Sequence, residues 1–193
     1  GIGPVTRTDL KFGVLFLDAD LDGRLDLFEN NGHLEEDISL VQSSQQYEQP
    51  PHLLWNCGTK FDNEFVMLPK EKTSEDFMIR MVGRGASMAD IDGDGDLDLV
   101  LFSSGGQPRL LRNDQSSRHH WLRFKLHGTT SNKDAIGAEV RLSLPDGTVL
   151  QRTVMPTRSY QSQVELPVTF GLGTVTEVKE VTVRWPDGEQ QIV

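Results

Sequence analysis

The sequence is poor in several things, and each shortage narrows what the protein is able to be. Among 193 residues there is a single cysteine, Cys57, so no internal disulfide exists and stability has to come from packing or from bound metal. No apolar run approaches the ~18 residues that a membrane-crossing helix requires. With 36% hydrophobic residues and a mean hydropathy of −0.40, the composition predicts a soluble chain. Cations are also scarce: 19 Lys and Arg stand against 29 Asp and Glu, for a net charge of −10. That balance argues against a nucleic-acid binder, which needs clustered cations to displace phosphate counterions. A basic-then-apolar secretion signal is missing, and the opening Gly1-Ile2-Gly3-Pro4 reads as a processed chain or a cut piece. No Asn-x-Ser/Thr sequon occurs, which removes one hint of a glycosylated surface without excluding export.

What is there is unevenly spread. Residues 119–193 hold eight of the 19 cations and eight of the 29 anions, so the whole −10 falls in residues 1–118. Such asymmetry marks a boundary, and the polar stretch Arg112-Asn113-Asp114-Gln115-Ser116-Ser117-Arg118 reads as the linker. Both parts show short apolar or alternating runs between Gly, Pro, Asn and Asp, with no long amphipathic helix. Period-two alternation over residues 121–126, 139–144 and 178–185 predicts half-buried strands. Pro145-Asp146-Gly147 and Pro186-Asp187-Gly188 predict tight turns between strands rather than ligand sites.

Two segments align without gaps at a spacing of 72 residues: Phe16-Leu17-Asp18-Ala19-Asp20-Leu21-Asp22-Gly23-Arg24-Leu25-Asp26-Leu27 and Met88-Ala89-Asp90-Ile91-Asp92-Gly93-Asp94-Gly95-Asp96-Leu97-Asp98-Leu99. The spacing exceeds the usual period of a repeat array, as expected of a repeated unit with an insertion or with weaker copies between. The stretch through Gln42–Gln49 to Pro50-Pro51 is the candidate insertion, placed at about residues 34–52. Each copy reads D-x-D-x-D-G-x-x-D. Aspartates at every second position of a curled loop converge and repel one another unless a cation sits between them. The glycine at position six, Gly23 or Gly95, permits the sharp turn. The expected ligands are Asp18, Asp20, Asp22, Asp26 and the position-seven carbonyl of Arg24 in loop one. In loop two they are Asp90, Asp92, Asp94, Asp98 and position-seven Asp96. So many oxygen donors favour calcium, one Ca2+ per loop and two in all. Magnesium, which keeps stricter geometry and more water, is second. No Cys/His cluster accompanies them to suggest zinc or copper. Glu29 at position twelve completes an EF-hand expression, but the strand-like lead over residues 12–17 and the break at Asn30-Asn31-Gly32 do not suit an EF-hand's helices. Loop two has Leu101 at that position.

Strand, D-x-D-x-D-G-x-x-D loop, strand resembles the FG-GAP or VCBS repeats of integrin-α-like β-propellers. Phe12-Gly13 and Gly85-Ala86 stand near the leader positions, and residues 27–30, 53–56 and 110–113 resemble the Leu-x-x-Asn element of such blades. The C-terminal part resembles the ASPIC/UnbV domain at His120-Trp121-Leu122, residues 131–138, Tyr160-Gln161-Ser162-Gln163, Phe170-Gly171-Leu172-Gly173 and residues 183–188. The resemblance implies an all-β protein: partial propeller-type blades with calcium loops over residues 1–118, then an antiparallel β-sandwich-like domain over 119–193. It implies an exported, extracellular or cell-surface, calcium-dependent protein. Two loops account for about two blades where closed propellers have ~4 to 8, so further blades are expected upstream of Gly1 or the assembly is open.

An enzymatic constellation is not evident. His119 and His120 are adjacent and point to opposite faces of a strand, His33, His52 and His127 are scattered, and there is no nucleophile elbow, HExxH helix or phosphate loop. Cys57 reads as a small packed residue. Trp55, Trp121 and Trp185 could stack on sugars, although strand packing is the simpler reading. The expectation is a non-enzymatic calcium-binding module for recognition or adhesion, with an unidentified protein or glycan partner. The alternatives are an accessory domain of a polysaccharide-active enzyme, for which candidate carboxylates outside the loops such as Glu64, Glu139 and Glu165 have no spacing that singles them out, and a structural spacer.

Overall fold

In the computed structural model, which describes every residue except Gly1, Lys60, Gln115 and Ser116, the chain is all-β. Two residues of the expected linker, Gln115 and Ser116, lie outside that description. The longest helices, α1 (Gly3–Thr6) and α2 (Ile38–Val41), have four residues each, and no described helix is long and apolar enough to cross a membrane.

The described strands form four antiparallel sheets. Strands β1 (Lys11–Leu17), β2 (Asp26–Asn31), β3 (His52–Asn56) and β4 (Phe65–Met67) make one meander. A second is made by β5 (Gly83–Ala89), β6 (Asp98–Ser103) and β7 (Arg109–Leu111). The two aligned segments occupy equivalent places. Loop one joins β1 to β2 where Leu17 pairs with Asp26, and loop two joins β5 to β6 where Ala89 pairs with Asp98. The connection from β2 to β3, residues 32–51, carries α2 on its exposed side. It is anchored by the buried Gln49, whose side-chain oxygen accepts from the Leu10 N–H at 2.8 Å.

Beyond them, β8 (His120–Phe124) pairs with β11 (Val168–Gly173). Strands β9 (Glu139–Ser143), β10 (Val149–Thr153), β12 (Glu180–Arg184) and β13 (Gln190–Ile192) form a sheet in the order β10-β9-β12-β13. The three alternating runs of the sequence are therefore strands, β8, β9 and β12. Both Pro-Asp-Gly steps are turns, with Gly147 and Gly188 at φ of 90° and 93°. Each aspartate accepts the N–H two residues on, Thr148 to Asp146 at 2.9 Å and Glu189 to Asp187 at 3.1 Å.

Alternation decides where the cores lie. In β1, Leu15 and Leu17 turn inward while Val14 and Phe16 turn out. The inward set joins Phe28, Ala86, Met88, Leu99 and Leu101 in one apolar core between the first two sheets. A second core, around Val140, Leu142, Val154, Phe170, Leu172 and Val183, fills the sandwich between the two C-terminal sheets.

At Gly13 and Gly83 the first two sheets approach so closely that no side chain fits. A Cβ on Gly13 would lie 2.6 Å from the Arg84 carbonyl oxygen, and one on Gly83 would lie 2.2 Å from Asn30 Oδ1. Asn30, fully buried in β2, uses this proximity: its amide donates to the carbonyls of Gly85 at 2.9 Å and Phe102 at 3.1 Å in the other sheet. Overpacking such a contact costs about 1–3 kcal/mol. Gly83→Ala is therefore expected to lower the unfolding free energy by about that amount, whereas Gly3→Ala, where a Cβ meets nothing within 4 Å, should change it by less than about 0.5 kcal/mol. Denaturant titration of the two variants side by side checks this, and equal midpoints would contradict the close approach.

Candidate metal centre

Both aspartate loops have the same backbone shape, and its demands are legible residue by residue. Position six is left-handed in each, Gly23 at φ 94° and Gly95 at φ 98°, where glycine has no steric cost. Position four is left-handed too. Loop two meets that demand with Gly93 at φ 81°, while loop one places Leu21 there at φ 57°, a conformation that costs a non-glycine residue about 1–2 kcal/mol. Position six is legible in the aspartate spacing, whereas position four is signalled only by the Gly-x-Gly of loop two.

The structure gathers positions one, three and five. Asp18, Asp20 and Asp22 each bring a carboxylate oxygen within 4.8 Å of the others, and Asp90, Asp92 and Asp94 do the same. Position nine has another job. In loop one, Asp26 Oδ2 accepts the Ala19 N–H at 2.9 Å and Oδ1 accepts the Asn56 N–H at 2.7 Å. In loop two, Asp98 Oδ2 accepts the Ile91 N–H at 2.9 Å and Oδ1 accepts the Asn113 N–H at 2.8 Å. Each of these buried aspartates thus staples its loop to the asparagine ending a Leu-x-x-Asn element, and each oxygen retains one lone pair. At position seven, Arg24 pairs through its guanidinium with Asp22 and donates Nε–H to the Asn56 carbonyl at 2.8 Å. Asp96, its counterpart, is buried and donates its N–H to Asp94 Oδ1 at 3.2 Å.

Charge is incompletely balanced in loop one. Asp18 is 3% exposed; its Oδ2 accepts from Gly23 N at 3.0 Å and Gly171 N at 3.1 Å, with Arg152 Nη2 at 3.7 Å. Its Oδ1 and Asp20 Oδ1 are buried and accept no hydrogen bond from any described residue. Asp20 Oδ2 accepts from the Trp55 indole at 3.1 Å. Burial pushes the Asp18 carboxyl up to about 6, against the pull of Arg152, and the Asp26 carboxyl up to about 7, against its two backbone donors. Asp22 is raised as well, chiefly by burial. The four carboxylates of loop one face two guanidiniums, Arg24 and Arg152, which leaves a formal −2 that a single divalent cation cancels. Buried carboxylate oxygens without donors, in a site made only of oxygen ligands, fit a hard cation. Loop two is more open: the Asp92 side chain is 37% exposed, and desolvation with the charges of Asp94 and Asp98 raises its carboxyl.

The other residues singled out in the sequence have structural partners. Glu29 lies in β2 and faces His52 Nδ1 at 3.2 Å, so it closes no calcium loop. Buried Cys57 directs its Sγ to the Asn63 and Glu64 carbonyls, both at 3.1 Å. Glu139, in β9, is held by Arg141 and Arg184, and Glu165, in the connection before β11, pairs with Arg123. His119 contacts the Asp20 carbonyl through Nδ1 at 2.6 Å, and exposed His120 opens β8. The Trp121 ring covers Gly95, and Trp185 donates to Gln191 Oε1 at 3.3 Å.

Over 110 residues, 55% of this chain, the sequence is 36% identical to cartilage acidic protein 1 of Homo sapiens and of Mus musculus, and 34% identical to that of Xenopus tropicalis. The chain spans only 16–17% of the length of those relatives. Residues 128–193, which contain β9 to β13, match the family model described as ASPIC and UnbV.

Proposed function

We propose that this chain is a non-enzymatic, calcium-binding module of an extracellular protein. Residues 1–118 form two FG-GAP/VCBS-type, propeller-blade repeats with an insertion at about 34–52, and residues 119–193 form an ASPIC/UnbV domain. In this reading Asp18, Asp20 and Asp22 hold one Ca2+ and Asp90, Asp92 and Asp94 hold the other. Asp26, Asp98, Arg24 and Asp96 shape the loops around them. The ions supply positive charge where the fold has crowded carboxylates, and so rigidify the strand-loop-strand units that present a recognition or adhesion surface to a protein or glycan. The observation that carries the reading is the pair of buried oxygens, Asp18 Oδ1 and Asp20 Oδ1, with no hydrogen-bond donor among the described residues.

Calorimetric titration of calcium into chelator-treated protein should find two sites, with Kd on the order of 10⁻⁴ to 10⁻³ M if the affinity is that of extracellular modules. Magnesium should compete poorly. At ten times Kd each site should add about 1.4 kcal/mol of stability, from RT ln(1 + [L]/Kd). Asp92→Ala should leave a single site, and two sites surviving in that variant would remove the assignment.

Position nine separates scaffold from ligand. Asp26→Ala strips the acceptor from two buried N–H groups and should cost about 1–3 kcal/mol even in chelator. Asp92→Ala, at an exposed carboxylate, should change calcium-free stability by less than about 0.5 kcal/mol. Denaturant melts in chelator decide between this and a pure ligand role for Asp26, in which the two variants would behave alike.

A further inference from the structure

Both aspartate loops are gripped from the C-terminal sheets, loop one by β11 and by Arg152 of β10, and loop two by β8 and by Glu165, which precedes β11. On loop one, Gly171 N–H donates to Asp18 Oδ2 at 3.1 Å and Gly173 N–H donates to the Leu21 carbonyl at 2.8 Å. Arg152 Nη2 donates to the Gly23 carbonyl at 3.3 Å. The fit admits no side chain at Gly171, where a Cβ would stand 2.3 Å from the Leu21 carbonyl carbon and 2.4 Å from Asp18 Oδ2. On loop two, Arg123 Nη1 donates to Asp90 Oδ2 at 3.1 Å, Asp90 N–H donates to Glu165 Oε1 at 3.1 Å, and the Trp121 ring lies on Gly95. The two sites correspond: in each loop the first aspartate receives one arginine from residues 119–193, and a loop glycine lies against the C-terminal sheets.

We infer that the two loops are a cation-set joint, in which divalent-ion binding and docking of the C-terminal sheets form one coupled equilibrium. This rests on the calcium reading above. Arg152 does not replace the ion, because with Arg24 it still leaves loop one at a formal −2. It shares the work, lying beside Oδ2 of Asp18, while Oδ1 is buried and accepts no hydrogen bond from any described residue. The atoms gripped from the C-terminal side, Asp18 Oδ2, the Leu21 carbonyl and the Gly23 carbonyl, belong to the same curled segment whose carboxylates would close on the ion. A loop splayed by repulsion presents them in the wrong places. Linkage then requires the reverse effect, so that docking raises cation affinity by the factor by which the cation favours docking.

Amide hydrogen exchange on the whole chain, with and without calcium, tests the joint, with calcium calorimetry on the same preparation. Calcium should slow exchange across Val168–Gly173 about ten-fold more than across Glu139–Ser143, which reports the C-terminal sandwich alone; this lies within the range of typical coupling. Calcium binding with equal effects on both segments, or none on Val168–Gly173, overturns the joint and leaves the calcium sites standing. No calcium binding at all overturns both. In the reverse direction, Gly171→Ala should weaken one of the two calcium sites about ten-fold and leave strand content unchanged. Unaltered affinity at both sites would overturn the coupling, and the exchange experiment on the unmodified chain decides the matter should that variant fail to fold.

Discussion

Crowded negative charge in two short turns is the constraint around which the first half of this protein is arranged. Four aspartates within nine residues cannot share a turn in water-poor surroundings unless each finds a donor or a cation. The fold answers by dividing them. Position nine is tied to two backbone N–H groups, position one is shared with the C-terminal sheets, and positions one, three and five each keep one carboxylate oxygen within 4.8 Å of the others. Asp26 and Asp98 have the same two kinds of partner in the two loops, so the arrangement is a property of the repeated unit and not an accident of one turn.

The position-nine staple also explains why the third strand belongs to the unit. β1 and β2 are held by their ladder, and an acidic loop at their end would spring open under its own charge. Tying Asp26 to the Asn56 N–H, at the end of β3, and Asp98 to the Asn113 N–H, just past β7, closes the loop from outside the hairpin. Asn30, at the end of the other Leu-x-x-Asn element, does a different task, crossing between sheets to Gly85 and Phe102. Similar sequence elements thus serve two mechanical ends, set by whether the strand is second or third in its meander.

Local features were legible in the sequence, and relations between distant segments were not. The strand-loop-strand units, the left-handed glycine at position six, the Pro-Asp-Gly turns and the alternating strands β8, β9 and β12 follow from spacing and steric preference within a few residues. The staple from Asp26 to Asn56 spans 30 residues and the contact of Asp18 with Gly171 spans 153, and no period or charge pattern encodes either. The left-handed turn at Leu21 was hidden for a different reason. A buried leucine carries no turn signal, and only its alignment with Gly93 exposes the backbone that the two loops share. The equal numbers of positive and negative charges over residues 119–193 concealed that two of its arginines are spent on the acidic loops.

The two loops share a design and differ in exposure, and the difference bears on how each would exchange an ion. Asp18 is sealed beneath Gly171 and Arg152, so an ion held there has no route to solvent on that side while the C-terminal sheets remain docked. Loop two keeps Asp92 and Asp94 at the surface, and Arg123 and Glu165 brace only its first aspartate. Within the joint proposed above, loop two is the side that equilibrates with the surrounding cation, and loop one is the side whose filling commits the chain to its docked form. Because Asp18 and Asp26 are buried, a recognition surface for an outside partner cannot be made from those two carboxylates. The acidic loops then act by holding the sheets in place, and any partner is met by the surfaces those sheets turn outward.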